Sequence, residues 1–281
     1  MGGRSTSSGL ASSAPQTAPQ PQQAQQAQQA QTTGRLASDM GIDRMDDATL
    51  TAAITRAMRA SITRDGRQDT PAQHIADALG FTANRPDSVS QEALAQYRGQ
   101  KYEDGTIYRT VYGANGKDGR QIAHELTSSN DYGLNFGGGR VYGTGLYFAG
   151  TGARGNGNAG ARDSYWYGRG RSDAYMMEAR IKSTAKIATS GFMARVATKT
   201  WAKAHKGALN RLGFSVSSTG TITKGSFSGS ADDMRTTVAM LMGYDGYRNE
   251  NQSVPYYTIW NRGALQVARG NKYARAGSGS L

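Results

Sequence analysis

The chain has 281 residues, no cysteine, six prolines, 37 glycines and a formal net charge of +12. The lack of cysteine excludes a disulfide scaffold, a thiolate metal site and a cysteine nucleophile. No apolar run approaches the roughly 20 residues that span a bilayer, and the separated His74, His124 and His205 lack the spacing of zinc ligands.

Residues 1–34 contain the repeat QPQQAQQAQQAQ, preceded by Ser, Thr, Pro and Gly. Such a segment buries too little apolar surface to offset its ordering entropy, so it is predicted to be a disordered arm. It lacks the apolar stretch of a secretory signal, and the expectation is a soluble protein made in the cytoplasm. Residues 35–99 predict a small helical module. One helix is expected over 48–60, capped by Asp46 or Asp47, with Leu50, Ile54 and Met58 spaced by four. A second fits 71–79, with Pro71 near its first position. Ser88 and Gln91 have the spacing of a capping box ahead of a third over 93–97.

From residue 100 the pattern changes. Strands are expected at 106–112 (TIYRTVY), 121–126 (QIAHEL), 140–149 (RVYGTGLYFA), 175–181, 185–188, 256–260 and 264–267. Residues 150–161 read as a glycine-rich loop, 164–167 as the end of a short helix, and 215–223 as a hairpin around Thr219-Gly220. A helix fits 193–212. Another follows Ser230 as far as 242, with Asp232 and Asp233 in its first turn, where the helix dipole favours acids. Residues 271–281 are expected to form a flexible tail. Many short strands with few helices predict an α+β domain over 100–270, built on a mostly antiparallel sheet.

Charge is unevenly placed. Residues 1–100 hold nine arginines, no lysine and nine acids, whereas residues 101–281 hold 24 basic against 12 acidic side chains. A basic domain invites a polyanion, either nucleic acid or a small phosphate ligand; a solubilising surface charge is the alternative.

Three features of the basic domain bear on chemistry. Strand alternation separates Arg109 from Tyr108 and Thr110, and an arginine projecting from a core strand needs a carboxylate or phosphate partner unless the strand lies at an edge. In GTGLYFA, glycine at 143 and 145 weakens a strand unless something approaches the backbone closely, and Tyr147 offers a flat ring for stacking. Without a ligand the same residues make a tight sheet corner. The segment SYWYG then places Tyr165 and Tyr167 beside glycines.

In their order and spacing, IYRTVYG, GTGLYFA, the tyrosine-containing segment and the final YYTIWNRGALQV resemble the NAD-dependent ADP-ribosyltransferase superfamily. The likeness is to the small transferase-like domains of tailed-phage genomes and spans about residues 100–270. It implies a split, mostly antiparallel sheet that grips NAD, the substrate, in a bent conformation. Arg109 matches the arginine that holds the NAD phosphates or adjoining ribose. Backbone groups of Thr110 would bind the nicotinamide amide. Thr144 and Gly145 would lie beside the ring, with Tyr147 stacked on it and Tyr165, or Tyr167, as the second stacking tyrosine.

The resemblance also implies cleavage of the nicotinamide–ribose bond and mono-ADP-ribosyl transfer to a host protein or nucleic acid, in the host cytoplasm or from the phage particle, with no membrane involved. In active members a glutamate opens the last motif strand. Here Tyr257 stands in its place when the toxin-like branch is the guide, and Tyr256 when the polymerase-like branch is. Glu250 and Gln252 lie just upstream, and Glu178, in another strand, reads as structural or exposed. The missing acid keeps open a second expectation, a catalytically degenerate transferase fold serving as a basic virion-associated structural or nucleic-acid-binding protein.

Overall fold

The computed structural model describes residues 34–59, 63–64, 67–68, 70–129, 145–150, 173–189, 191–249 and 254–269. The arm, the loop at 150–161 beyond its first residue, the segment 164–167 and the tail lie outside these residues.

The strands in chain order are β1 (Thr63–Arg64), β2 (Arg67–Gln68), β3 (Asp87–Val89), β4 (Thr106–Val111), β5 (Leu146–Gly150) and β6 (Tyr175–Ile181). They continue with β7 (Ile187–Thr189), β8 (Ser215–Val216), β9 (Ile222–Thr223), β10 (Gly246–Asn249), β11 (Tyr256–Ile259) and β12 (Leu265–Ala268). Eight of them form one sheet in the order β3-β12-β6-β4-β5-β11-β10-β7. The two outermost pairs, β3–β12 and β7–β10, are parallel and every inner pair is antiparallel. The fold is therefore α+β on a mostly antiparallel sheet, as the strand pattern predicts.

Local chemistry sets most helix boundaries. α1 (Asp47–Arg59) starts where the Asp46 carboxylate accepts from the Thr49 N–H at 2.7 Å. Its buried stripe is Leu50, Ala53, Ile54 and Ala57, while Met58, expected in that stripe, is 58% exposed. The 3.6-residue turn carries the face to position 57 and leaves 58 pointing away. α2 (Pro71–Ala78) is capped by the Thr70 hydroxyl. α3 (Gln91–Ala95) is capped by Ser90 rather than Ser88, which belongs to β3. The strand expected at 121–126 is instead α4 (Gly119–Ser128): Asp118 and Gln121 cap each other's backbone, and Ala123 and Leu126 bury one helical face. The single helix expected over 193–212 is two, α5 (Val196–Ala204) and α6 (Lys206–Arg211), broken at His205, whose φ of −112° and ψ of 30° leave the helical region. α7 (Ala231–Leu241) starts with a reciprocal cap between Ser230 and Asp233.

Leu50 and Ile54 of α1, Ile75 of α2 and Val238 and Leu241 of α7 pack in the same core as Ile107, Phe148, Met177, Tyr257 and Ile259 of the sheet. Residues 35–99 thus share one core with the sheet, and β3 extends that sheet. Two buried polar groups fix the joints. The carboxylate of Asp245 accepts from the Ala37 and Lys186 N–H groups and from Asn261 Nδ2; burial nevertheless pushes its pKa up. Fully buried Arg262 donates to three main-chain carbonyls, those of Leu126 at 2.5 Å and of Thr82 and Ser129 at 2.7 Å. Among the described residues, no helix is long and apolar enough to cross a membrane.

Candidate functional site

Every residue of β4 is buried, so Arg109 is not the solvent-facing side chain of an edge strand. β4 pairs with β6 along its whole length, from Thr106↔Arg180 to Val111↔Tyr175. Its other ladder, to β5, is short: Ile107↔Gly150 and Tyr108↔Ala149. Continued, that register would set Arg109 against Phe148 and Thr110 against Tyr147, but the pairing stops. At this point the Arg109 guanidinium reaches across and its Nη1 donates to the carbonyl of Tyr147 at 2.9 Å. The side chain is 8% exposed. A cation thus lies where the β4–β5 ladder ends.

Register divides the surrounding side chains between two faces. Asn249, Tyr256, Ala149, Tyr108 and Glu178 stand in one row across β10, β11, β5, β4 and β6. Tyr147 and Thr258, a pair one step along, share that face by alternation. Tyr108, Ala149, Met176 and Val254 pack together there, with Tyr256 half-buried against them. Tyr257 stands in the opposite row, between Arg248 and Phe148, and is fully buried in the main core. Burial drives its phenol pKa upward, against the pull of the neighbouring Arg248. Of the two tyrosines at the expected glutamate position, Tyr256 therefore shares a face with Tyr147 and Tyr257 does not.

Gly145 meets the tyrosine-bearing strand at its entrance. A Cβ there would collide with Thr258 and approach Trp260 Cδ1 at 3.1 Å. The close approach that demands glycine comes first from β11 itself. Thr110 is buried beside Met176, its hydroxyl 3.8 Å from the sulfur. Thr144, Tyr165, Tyr167, Glu250 and Gln252 fall outside the described residues.

The polar surroundings include groups that sequence spacing does not reveal. Glu178 is fully buried, in line with its structural reading, and receives a bidentate pair of bonds from Arg98 at 2.7 and 2.8 Å. The Tyr108 hydroxyl, itself 3.0 Å from Thr106 Oγ1, donates to the same carboxylate at 3.3 Å. Beside them the Arg180 guanidinium lies 3.5 Å from the centre of the Tyr97 ring. Arg248 pairs with Glu103 and lies 4.3 Å from the ring centre of Tyr102, a residue with a φ of +51°. Arg98 and Glu178 are 80 positions apart and Glu103 and Arg248 are 145 apart. Their one legible signal is an acid in the middle of a largely apolar strand, YMMEARI.

By the same alternation Arg109 stands in the row of Ile107 and Val111, on the Tyr257 face, so its guanidinium and the Tyr147 and Tyr256 rings belong to opposite faces and meet only at the Tyr147 carbonyl, where the ladder ends. A guanidinium suits an anionic group and the tyrosine face a planar ring. No family model, curated protein or solved structure matches the chain.

Proposed function

We propose that the protein is an NAD-dependent mono-ADP-ribosyltransferase, encoded by a phage and acting on a host macromolecule in the host cytoplasm or from the particle. The observation that carries this reading is the end of the β4–β5 ladder just past Tyr108 and Ala149, where Arg109 Nη1 donates to the Tyr147 carbonyl. The motifs IYRTVYG and GTGLYFA meet there. In this reading the split of the sheet that the resemblance implies begins at Arg109, and NAD lies along it.

The reaction breaks the nicotinamide–ribose bond. The electron pair leaves with nicotinamide, and a nucleophile of the acceptor bonds to the ribose carbon and releases its proton. The transition state resembles an oxocarbenium ion, so positioning and electrostatics carry the catalysis. Arg109 holds the phosphates or the adjoining ribose, the Thr110 backbone binds the nicotinamide amide, and Tyr147 stacks on the ring. The resemblance would add Thr144, Gly145 and Tyr165 to the residues that contact NAD. Tyr256, on the same face as Tyr147, occupies the place from which an acid would address the ribose.

The test is titration of NAD into the full chain, followed by a nicotinamide-release assay on the same sample. Binding with release, both reduced at least about tenfold in Arg109→Ala as expected for a charge-assisted anion contact, is the predicted result. No NAD binding by the wild-type chain would overturn it. A second reading, a transferase fold that has lost turnover and serves in the virion, is favoured by tyrosine at both candidate glutamate positions; binding without release would select it.

A further inference from the structure

We propose that the insertion between β7 and α7, made of α5, α6 and the β8–β9 hairpin, is a docking surface for the phosphate backbone of a nucleic acid. From Ile187 to Ala231 the chain has no Asp or Glu, yet this interval holds Arg195, Lys199, Lys203, Lys206, Arg211 and Lys224. Five of the six are exposed and Lys199 is half-buried. Among the described residues, no carboxylate forms an ion pair with any of them. Two acids of α1's start border α6: Asp47 accepts from the Ala208 N–H and Asp46 from the Thr49 N–H, while Asp43 pairs with Lys186.

Two of the basic groups share one helix face beside the hairpin. Lys199 and Lys203 are four residues apart in α5 and share a face with exposed Thr200. The turn of the hairpin lies on the same helix, since a Cβ at Gly220 would collide with the Lys199 backbone. That contact brings a chain of exposed hydroxyls beside Lys199, with Ser217 Oγ 2.9 Å from Thr219 Oγ1 and Thr219 Oγ1 3.3 Å from Thr221 Oγ1. Lysine, arginine, serine and threonine are the side chains that bond phosphate oxygens without reading sequence.

The arrangement also works against the local fold. Arg195 stands at the N-cap of α5 with no capping bond from its side chain and no acid in the first turn, where the dipole disfavours cations. Like charges four residues apart on a helix repel. A polyanion that neutralises them removes both penalties. The role of this surface does not depend on the transferase reading.

The test is fluorescence anisotropy of a short labelled DNA duplex of mixed sequence with the full chain, without NAD, over a range of salt concentrations. The variant Lys199→Gln/Lys203→Gln/Lys206→Gln/Arg211→Gln should bind at least about tenfold more weakly, and the slope of log affinity against log salt should fall by about 3 to 4, near 0.9 per lost phosphate contact. A charge-matched control, Arg44→Gln/Arg59→Gln/Lys101→Gln/Arg120→Gln, should keep the wild-type slope to within about 1. Lys203→Glu alone provides the same comparison if the fourfold variant fails to fold. Failure of the wild-type chain to bind, an equal loss in the control, or preferential binding to phosphatidylserine vesicles over the duplex would each overturn the proposal.

Discussion

Single side chains decide two matters in this protein. The first is which tyrosine faces the opening. Tyr256 and Tyr257 are adjacent in sequence, but β-strand alternation turns one toward Tyr147 and the other into the core. If the transferase reading holds, Tyr256→Glu should raise nicotinamide release at least about tenfold, because a carboxylate there would stabilise positive charge developing on the ribose. Tyr257→Glu should instead unfold the protein, since it buries a carboxylate in an apolar core. The release assay and a thermal melt on both variants check this pair. The second matter is Arg262. Its guanidinium satisfies three buried carbonyls and ties the end of α4 to the turn between β11 and β12. Arg262→Met keeps much of the volume but removes those donors, and urea unfolding should show a loss of about 3 kcal/mol.

At the scale of elements, the sequence patterns that translate into structure are those with local causes. Caps at Asp46, Thr70 and Ser230 set three helix starts, and Gly220, with a φ of +84°, turns the β8–β9 hairpin. Elements defined by distant partners are less legible. β3 and β10 are short and mixed in polarity, and each is a strand because distant strands lie alongside, β12 beside β3 and β11 and β7 on either side of β10. QIAHEL alternates enough to mimic a strand, until the reciprocal cap at Asp118 and Gln121 is recognised. The break between α5 and α6 carries its own pH dependence. Burial holds the His205 imidazole pKa below its usual 6.5, outweighing the pull of Asp47 and Asp46. The unfolded chain then binds a proton more readily than the folded one in that window. Stability is complete above the unfolded pKa and is lost as pH falls from about 6.5 toward the depressed folded value. Melting temperatures between pH 7.5 and 5.5 should decline accordingly, and decline less in His205→Gln.

For the whole molecule, the shared core predicts cooperative behaviour. Leu50, Ile54 and Ile75 pack with sheet residues, β3 adds a strand to the sheet, and Asp245 grips Ala37 from across the fold. The region 34–269 should therefore unfold in one transition, with far-ultraviolet circular dichroism and tryptophan fluorescence changing together. Separate transitions would indicate that residues 35–99 fold by themselves. A chain begun at residue 100 should fail to fold, because it exposes the core face that α1 and α2 cover.

Sequence alone determined the α+β class, the helix starts at Asp46 and Ser230, the strand TIYRTV and the asymmetric charge, because each depends on spacing within a few residues or on composition. It also raised the question of what glycine serves ahead of LYFA. Tertiary structure decided the rest. It showed that Gly145 makes room for Thr258 and Trp260, that the β4–β5 ladder ends where Arg109 begins, that Glu178 is neutralised by Arg98, and that Tyr256 rather than Tyr257 shares the face of Tyr147. These facts depend on register between strands far apart in the chain, and a one-residue slip in register would reverse every face.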